Sequence, residues 1–184
     1  MYSLLLEALR PSILVVTGPA GSGKTFEACK SARKLLESRV YKKVILTRPA
    51  VSPGESIGFL PGTLEKKMGP WLSQQDQYLK KAYQIEPLAY MRGKNYENSF
   101  IIADEMQNST PTQMKMVLTR ISTGSKLIII GDPDQSDIYE NNGLADLLYK
   151  IKNSKSALEH IRHIQLTETR RHESTREILD LYER

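Results

Sequence analysis

The chain has 184 residues, of which 40% are hydrophobic and 26% charged, with a formal net charge of +5. A lone thiol, Cys29, excludes an intrachain disulfide and a cysteine-cluster metal site, and no apolar run reaches the length of a membrane span. One domain over residues 1–184, burying about 70% of its unfolded surface, is expected, and its basic balance suits a polyanionic partner as well as plain solubility.

Met1 to Leu9 reads as a short helix ending near Arg10-Pro11, without the basic n-region and cleavage site of a signal peptide, so a cytoplasmic location is expected. Ile13 to Val16 is a nearly continuous apolar run, the pattern of a strand covered on both faces. A glycine loop follows, then a helix over Phe26 to Leu36 and a second strand over Val44 to Thr47. From Thr47 to Gly62 prolines 49, 53 and 61 alternate with glycines 54, 58 and 62, which rules out a regular helix. A structured loop of that length is usually functional. Thr63 to Tyr83 returns to helical character, broken at Gly69-Pro70, and Pro87 makes Gln84 to Met91 an edge strand or an irregular one. Phe100 to Ala103 predicts a buried strand ending in Asp104-Glu105. A helix starts near Ser109-Thr110-Pro111, where a capping hydroxyl precedes a first-turn proline. Leu127 to Ile130 is the next strand, ending in Gly131-Asp132; a helix over Gly143 to Ile151, a strand over Ile161 to Leu166 and a helix over Ser174 to Tyr182 complete the chain. Strands alternating with helices predict an α/β fold of the P-loop NTPase type, with a mainly parallel sheet covered on both faces.

The chemistry centres on Gly18-Pro19-Ala20-Gly21-Ser22-Gly23-Lys24-Thr25, which fits G-x-x-x-x-G-K-[ST] between a strand and a helix. Backbone N–H groups in such a loop point into one concavity, and the helix N-terminus adds partial positive charge. Lys24 is expected to reach the β- and γ-phosphates of ATP, with the Thr25 hydroxyl on Mg²⁺. Asp104, at a strand's C-terminal edge, lies where open α/β sheets bind ligands and would complete the Mg²⁺ shell. Glu105 beside it suits orienting or activating the attacking water, although a solvated acidic strand end has the same composition. Gln135, in Gly131-Asp132-Pro133-Asp134-Gln135, is placed to contact the γ-phosphate or that water; the bland alternative is a Gly-Asp-Pro turn. Arg170 or Arg171 is a candidate arginine finger, in cis or toward a neighbouring subunit. Thr47, Arg48 and Arg92 are the candidates for nucleic-acid contact, with Tyr90 or Tyr96 as a stacking face, against the alternative of a solvated basic surface. His160, His163 and His172 lack zinc-ligand context.

Val44-Ile45-Leu46-Thr47-Arg48-Pro49-Ala50-Val51, continued by Gly54-Glu55 and Gly58-Phe59-Leu60-Pro61-Gly62, resembles the signature of the PhoH-like ATPases. Pro87-Leu88-Ala89-Tyr90-Met91-Arg92-Gly93, Asp104-Glu105 with Gln107-Asn108, Leu118-Thr119-Arg120, Gly124-Ser125-Lys126, Gly131-Asp132 with Gln135 and Asp137, and Arg171-His172 extend the resemblance over about residues 13 to 173. It implies a RecA-like core related to superfamily 1 helicases, in which Gly-Asp-x-x-Gln senses the γ-phosphate. It also implies ATP hydrolysis, a role in RNA metabolism, an association with phosphate starvation, and homo-oligomeric rings, often hexamers. The family's Thr-x-Asn-Gln segment, whose glutamine should read adenine, is not found before the P-loop, which leaves GTP beside ATP. The few residues before the P-loop leave no room in this sequence for a nuclease-type domain, so RNA cleavage is expected to need a partner.

Three functions compete at this stage. One is a Mg²⁺-dependent NTPase acting on RNA or single-stranded DNA, its second RecA-like lobe supplied by a neighbouring subunit. The others are a small P-loop kinase and a nucleotide-switched binding module. Glu105 beside Asp104, with Gln135 on the next strand, favours water activation over phosphate transfer to a metabolite.

Overall fold

The computed structural model describes residues 12–49, 75–138, 142–156 and 158–169. Its strands are β1 (Ile13–Thr17), β2 (Lys43–Thr47), β3 (Gln84–Ile85), β4 (Ser99–Ala103), β5 (Lys126–Gly131) and β6 (Ile161–Gln165). They form one sheet in the order β3-β2-β4-β5-β1-β6, and every pairing is parallel. Helices α1 (Lys24–Glu37), α2 (Pro111–Leu118) and α3 (Gly143–Lys152), with 3-10 turns at Leu88–Met91 and Met106–Asn108, connect them.

All residues of β1, β4 and β5 are buried, because both faces of the central sheet are covered. Alternation along each strand divides the core in two. Leu14, Val16, Leu46, Ile102 and Ile128 pack on one face with Ala28, Cys29 and Ala32 of α1. Val15, Ile45, Ile101 and Ile129 pack on the other with Met114 and Val117 of α2 and Leu144 and Leu147 of α3. The edge strand β6 has no fully buried residue. At the opposite edge β3 has two residues; Pro87 then follows without an amide for a ladder, and the chain turns into the first 3-10 segment.

Local signals place the helix starts. The Thr110 hydroxyl accepts from the Gln113 amide at 3.2 Å while the Gln113 side chain accepts from the Thr110 amide at 2.9 Å, a complete capping box with Pro111 in the first turn. Asn142 caps α3 by accepting from the amides of Leu144 (2.9 Å) and Ala145 (3.1 Å). Helix α1 begins at Lys24, two residues before the apolar pattern suggests, because Gly23 caps it in the left-handed region (φ 86°, ψ 16°). The turn at Met106–Asn108 was not expected from hydrophobic periodicity, which a three-residue element cannot display. Of the expected Thr63 to Tyr83 helix, residues 75–79 are helical. The proposed helices at Met1 to Leu9 and Ser174 to Tyr182, and the proline-glycine loop beyond Pro49, lie outside the described residues.

Strand order positions the site. β5 lies between β1 and β4, so the loop after β1 and the acid pair after β4 are two strand spacings, about 9–10 Å, apart. The first turn of α1 crosses that gap.

Candidate functional site

Between β1 and α1 the chain turns through Gly18, Gly21 and Gly23 at φ values of 146°, 75° and 86°. An L residue in the left-handed helical region pays about 1–2 kcal/mol. Gly18 carries a second constraint, since a Cβ there would lie 2.4 Å from the Leu166 carbonyl oxygen. The segment after β6 braces the loop at that point. The Leu166 amide donates to the Thr17 carbonyl at 2.8 Å, and the Thr169 hydroxyl donates to the Ala20 carbonyl at 3.2 Å. Gly23 offers no side-chain oxygen to the first-turn amides of α1, so no N-cap side chain competes for them.

The Lys24 ammonium folds across the loop, donating to the carbonyls of Gly18 (2.6 Å) and Pro19 (2.9 Å) and to the Ser22 hydroxyl (3.3 Å). The Thr25 hydroxyl lies 3.2 and 3.1 Å from the two carboxylate oxygens of Asp104, which is 97% buried. Among the described residues no three His, Cys, Asp or Glu side chains cluster to form a metal site. One hydroxyl and one carboxylate fit Mg²⁺, which keeps waters and takes phosphate oxygens rather than an all-protein cage. Above them opens a cleft of about 490 Å³ lined by the loop, Asp104, Glu105, Gln107, Asp132 and Gln135. That volume is in the range of small-ligand sites.

Glu105 is half-buried and adopts left-handed backbone angles (φ 54°, ψ 37°), uncommon for a residue with a side chain. Its Oε2 accepts from Gln107 Nε2 at 2.6 Å. The Gly131–Gln135 segment is indeed a tight turn: Asp132 Oδ1 accepts from the Asp134 amide (3.2 Å) and the Asp132 carbonyl from the Gln135 amide (3.1 Å). The same turn lines the cleft, so the bland and functional expectations are compatible. Gln107 joins the two motifs, its Oε1 accepting from the Asp132 amide at 3.2 Å. Sequence reasoning gave Gln107 no role of its own; its place two residues after the acid pair was the available signal.

The nucleic-acid candidates divide. Thr47 is fully buried and its hydroxyl has no hydrogen-bond partner, while its carbonyl accepts from the Asp104 amide at 2.9 Å. Its role is thus to join β2 to the end of β4, and its side chain offers no contact surface. Arg48, directly after β2, is half-buried, and Arg92, directly after the 3-10 turn that follows β3, is exposed. Tyr90 is exposed, but Tyr96 is buried with the Lys43 ammonium 5.8 Å from its ring centre, which removes it as a stacking platform. Arg170, Arg171 and His172 lie outside the described residues.

Burial, reinforced by the nearby Asp104 charge, pushes the Cys29 thiol up to about 12, so it is a packed core residue and no nucleophile. His163 shares a 2.8 Å hydrogen bond with the Thr17 hydroxyl, and burial lowers its pKa. No helix among the described residues is long and apolar enough to cross a membrane.

A parallel sheet with a glycine loop after β1, and an acid pair two strands away, defines a P-loop NTPase fold. The fold aligns over 98% of this chain, and 41% of the other, with a crystal structure of Pif1 helicase from Candida albicans, at a TM-score of 0.53 and 19% identity. The chain belongs to the PhoH-like protein family, whose model matches residues 2–183. It is 39% identical over 191 residues to a PhoH-like protein of Bacillus subtilis, covering 95% of this chain and 59% of that one. A PhoH-like protein of Synechocystis is 39% identical over 183 residues, covering 91% and 55%. The chain thus spans between half and three-fifths of the length of these curated relatives.

Proposed function

We propose that this chain is a Mg²⁺-dependent ATPase that works on RNA or single-stranded nucleic acid. The observation that carries the reading is the contact of Thr25 with both oxygens of Asp104, made between residues 79 positions apart in sequence. It joins the phosphate loop to the acid pair at one end of the cleft. Phosphate oxygens would replace the loop carbonyls around the Lys24 ammonium, and the first-turn amides of α1 would face the same anion. Thr25 and Asp104 would hold Mg²⁺, which neutralises charge on the β- and γ-phosphates when bound.

Glu105 then orients the attacking water. The water oxygen bonds to the γ-phosphorus, the bond from that phosphorus to the β–γ bridging oxygen breaks, and ADP leaves as one of the water's protons passes to Glu105 and on to solvent while the other stays on the released hydrogen phosphate. Gln135 reads the γ-phosphate side of the cleft. Arg170 or Arg171 supplies a cation to the transferring phosphate, from this copy or a neighbour. Arg48 and Arg92 contact the polymer's phosphates. The likeness of fold to a helicase supports nucleic acid as the partner class, and a second copy supplies the other lobe of a closed ATP site.

Phosphate release measured with ATP or GTP, alone and with RNA, single-stranded DNA or duplex, tests this. The expected result is Mg²⁺-dependent release stimulated by a single strand and lost in Lys24→Ala. Arg48→Ala and Arg92→Ala should each weaken RNA binding and reduce its salt slope by about one. Release equal to that of Lys24→Ala would overturn the ATPase assignment, and a phosphorylated metabolite with little free phosphate would replace it with a kinase. Unchanged RNA affinity in both arginine variants would remove their assignment to nucleic-acid contact.

A further inference from the structure

Gln107 is 97% buried, yet its side chain performs no service for the helix or strand nearest to it. Its amide spans two separate loops. Nε2 donates to Glu105 Oε2 at 2.6 Å and makes a longer approach of 3.5 Å to the Gln135 carbonyl. Oε1 accepts from the Asp132 amide at 3.2 Å. The orientation is fixed by chemistry: the nitrogen must face a carboxylate and the oxygen an N–H, so the reverse rotamer would break both contacts.

The surroundings hold this bridge in place. The Gln107 carbonyl accepts from the Ser136 hydroxyl at 2.9 Å. Asn108 and Asp137 form a reciprocal pair, in which Asn108 Nδ2 donates to Asp137 Oδ2 (3.0 Å) and the Asp137 amide donates to Asn108 Oδ1 (2.8 Å). Gly131 leaves the space the amide needs, because a Cβ there would lie 2.5 Å from Gln107 Oε1. The turn after β4 and the turn after β5 are therefore fastened by side chains, although the sheet ladder ends below them.

We propose that Gln107 is a positioning residue, fastening the Glu105 carboxylate to the Asp132–Gln135 turn so that the water side and the phosphate side of the cleft keep one geometry. This rests on the ATPase reading above. Misplacing a reacting group by about 1 Å can cost about a hundredfold in rate. A residue acting through geometry in this way should affect turnover and leave nucleotide binding alone, since the phosphate loop and Lys24 are untouched.

The test compares wild type, Gln107→Leu, Glu105→Gln and the double variant by steady-state ATP hydrolysis, equilibrium binding of a fluorescent ATP analogue, and thermal melting. Gln107→Leu keeps approximate volume and removes every side-chain hydrogen bond. It should lower kcat by about ten- to a hundredfold with nucleotide affinity within about twofold of wild type. The double variant should be no slower than Glu105→Gln alone, because Gln107 acts through that carboxylate. If the leucine variant does not fold, Gln107→Asn keeps the amide but falls one methylene short, and carries the same expectation. A folded variant with wild-type kcat, while Glu105→Gln is inactive, would overturn the positioning role and leave the ATPase reading standing. Equal losses in affinity and kcat would show a merely structural residue. Full activity in Glu105→Gln would instead remove the water-orienting assignment and the positioning role with it.

Discussion

The backbone of Glu105 provides a measurable conflict between stability and function. Its φ of 54° holds a side-chain-bearing residue in the left-handed region, at a cost of about 1–2 kcal/mol relative to an ordinary helical or extended residue. Glu105→Ala and Glu105→Gly both remove the carboxylate that accepts from Gln107, so that loss cancels between them. They differ in the Cβ. Glycine relieves the left-handed cost but loses about 0.5–1 kcal/mol more backbone entropy on folding. The net expectation is a Gly variant more stable than the Ala variant by about 0.75 kcal/mol, within limits of about 0 and about 1.5 kcal/mol, or about 1.5–3 °C in melting temperature for a chain of this size. Calorimetry or urea unfolding of the two proteins measures it. Both variants should hydrolyse ATP at least about a hundredfold more slowly than wild type, the usual scale for losing a general base. An alanine variant more stable than the glycine variant would refute the claim that strain is stored at this position. A fast alanine variant would refute the role of the carboxylate.

Two further outcomes follow from the same geometry. Gly18→Ala places a methyl group 2.4 Å from the Leu166 carbonyl oxygen, so the segment after β6 must separate from the loop. Thermal unfolding should show a loss of about 1–3 kcal/mol, the ordinary cost of overpacking, together with weaker nucleotide binding; wild-type values for both would contradict it. Lys126 is buried at the start of β5, and burial pushes its ammonium down to about 8. Between about pH 8 and the ordinary lysine value of 10.5 unfolded Lys126 holds a proton that the folded residue lacks, so its contribution to stability rises with pH over that window, while the Cys29 thiol, raised from 9.0 to about 12, contributes the opposite slope above pH 9. The rise should vanish in Lys126→Met, and an identical pH dependence in the two proteins would dismiss the effect.

What could be read without coordinates was local. The phosphate loop is eight consecutive residues whose glycines dictate their own backbone, and its flanking strand and helix are visible as apolar periods. The Thr110 capping box and the Pro87 strand edge were legible for the same reason. Asp104 and Glu105 were recognisable because an acid pair closing an apolar strand falls at the ligand-binding edge of an α/β sheet. The expected contact role of Thr47 failed because residues at a strand end cannot be sorted into surface and interior by composition alone. Tyr96 failed likewise: an aromatic ring beside basic residues has the same sequence appearance whether it stacks on a base or packs under Lys43.

Tertiary structure decided how those pieces meet. Insertion of β5 between β1 and β4 sets the distance that Thr25 spans to Asp104, and the turns after β4 and β5 become neighbours through Gln107, Asn108 and Asp137. Those contacts join residues 79, 25 and 29 positions apart. Backbone torsion and hydrophobic period act over a few residues, so the sequence by itself determined the loop, the acid pair and the layers. Strand order and side-chain closure act over the whole sheet, and they alone bring the glycine loop, the Glu105 carboxylate and the turn at Gln135 to one cleft.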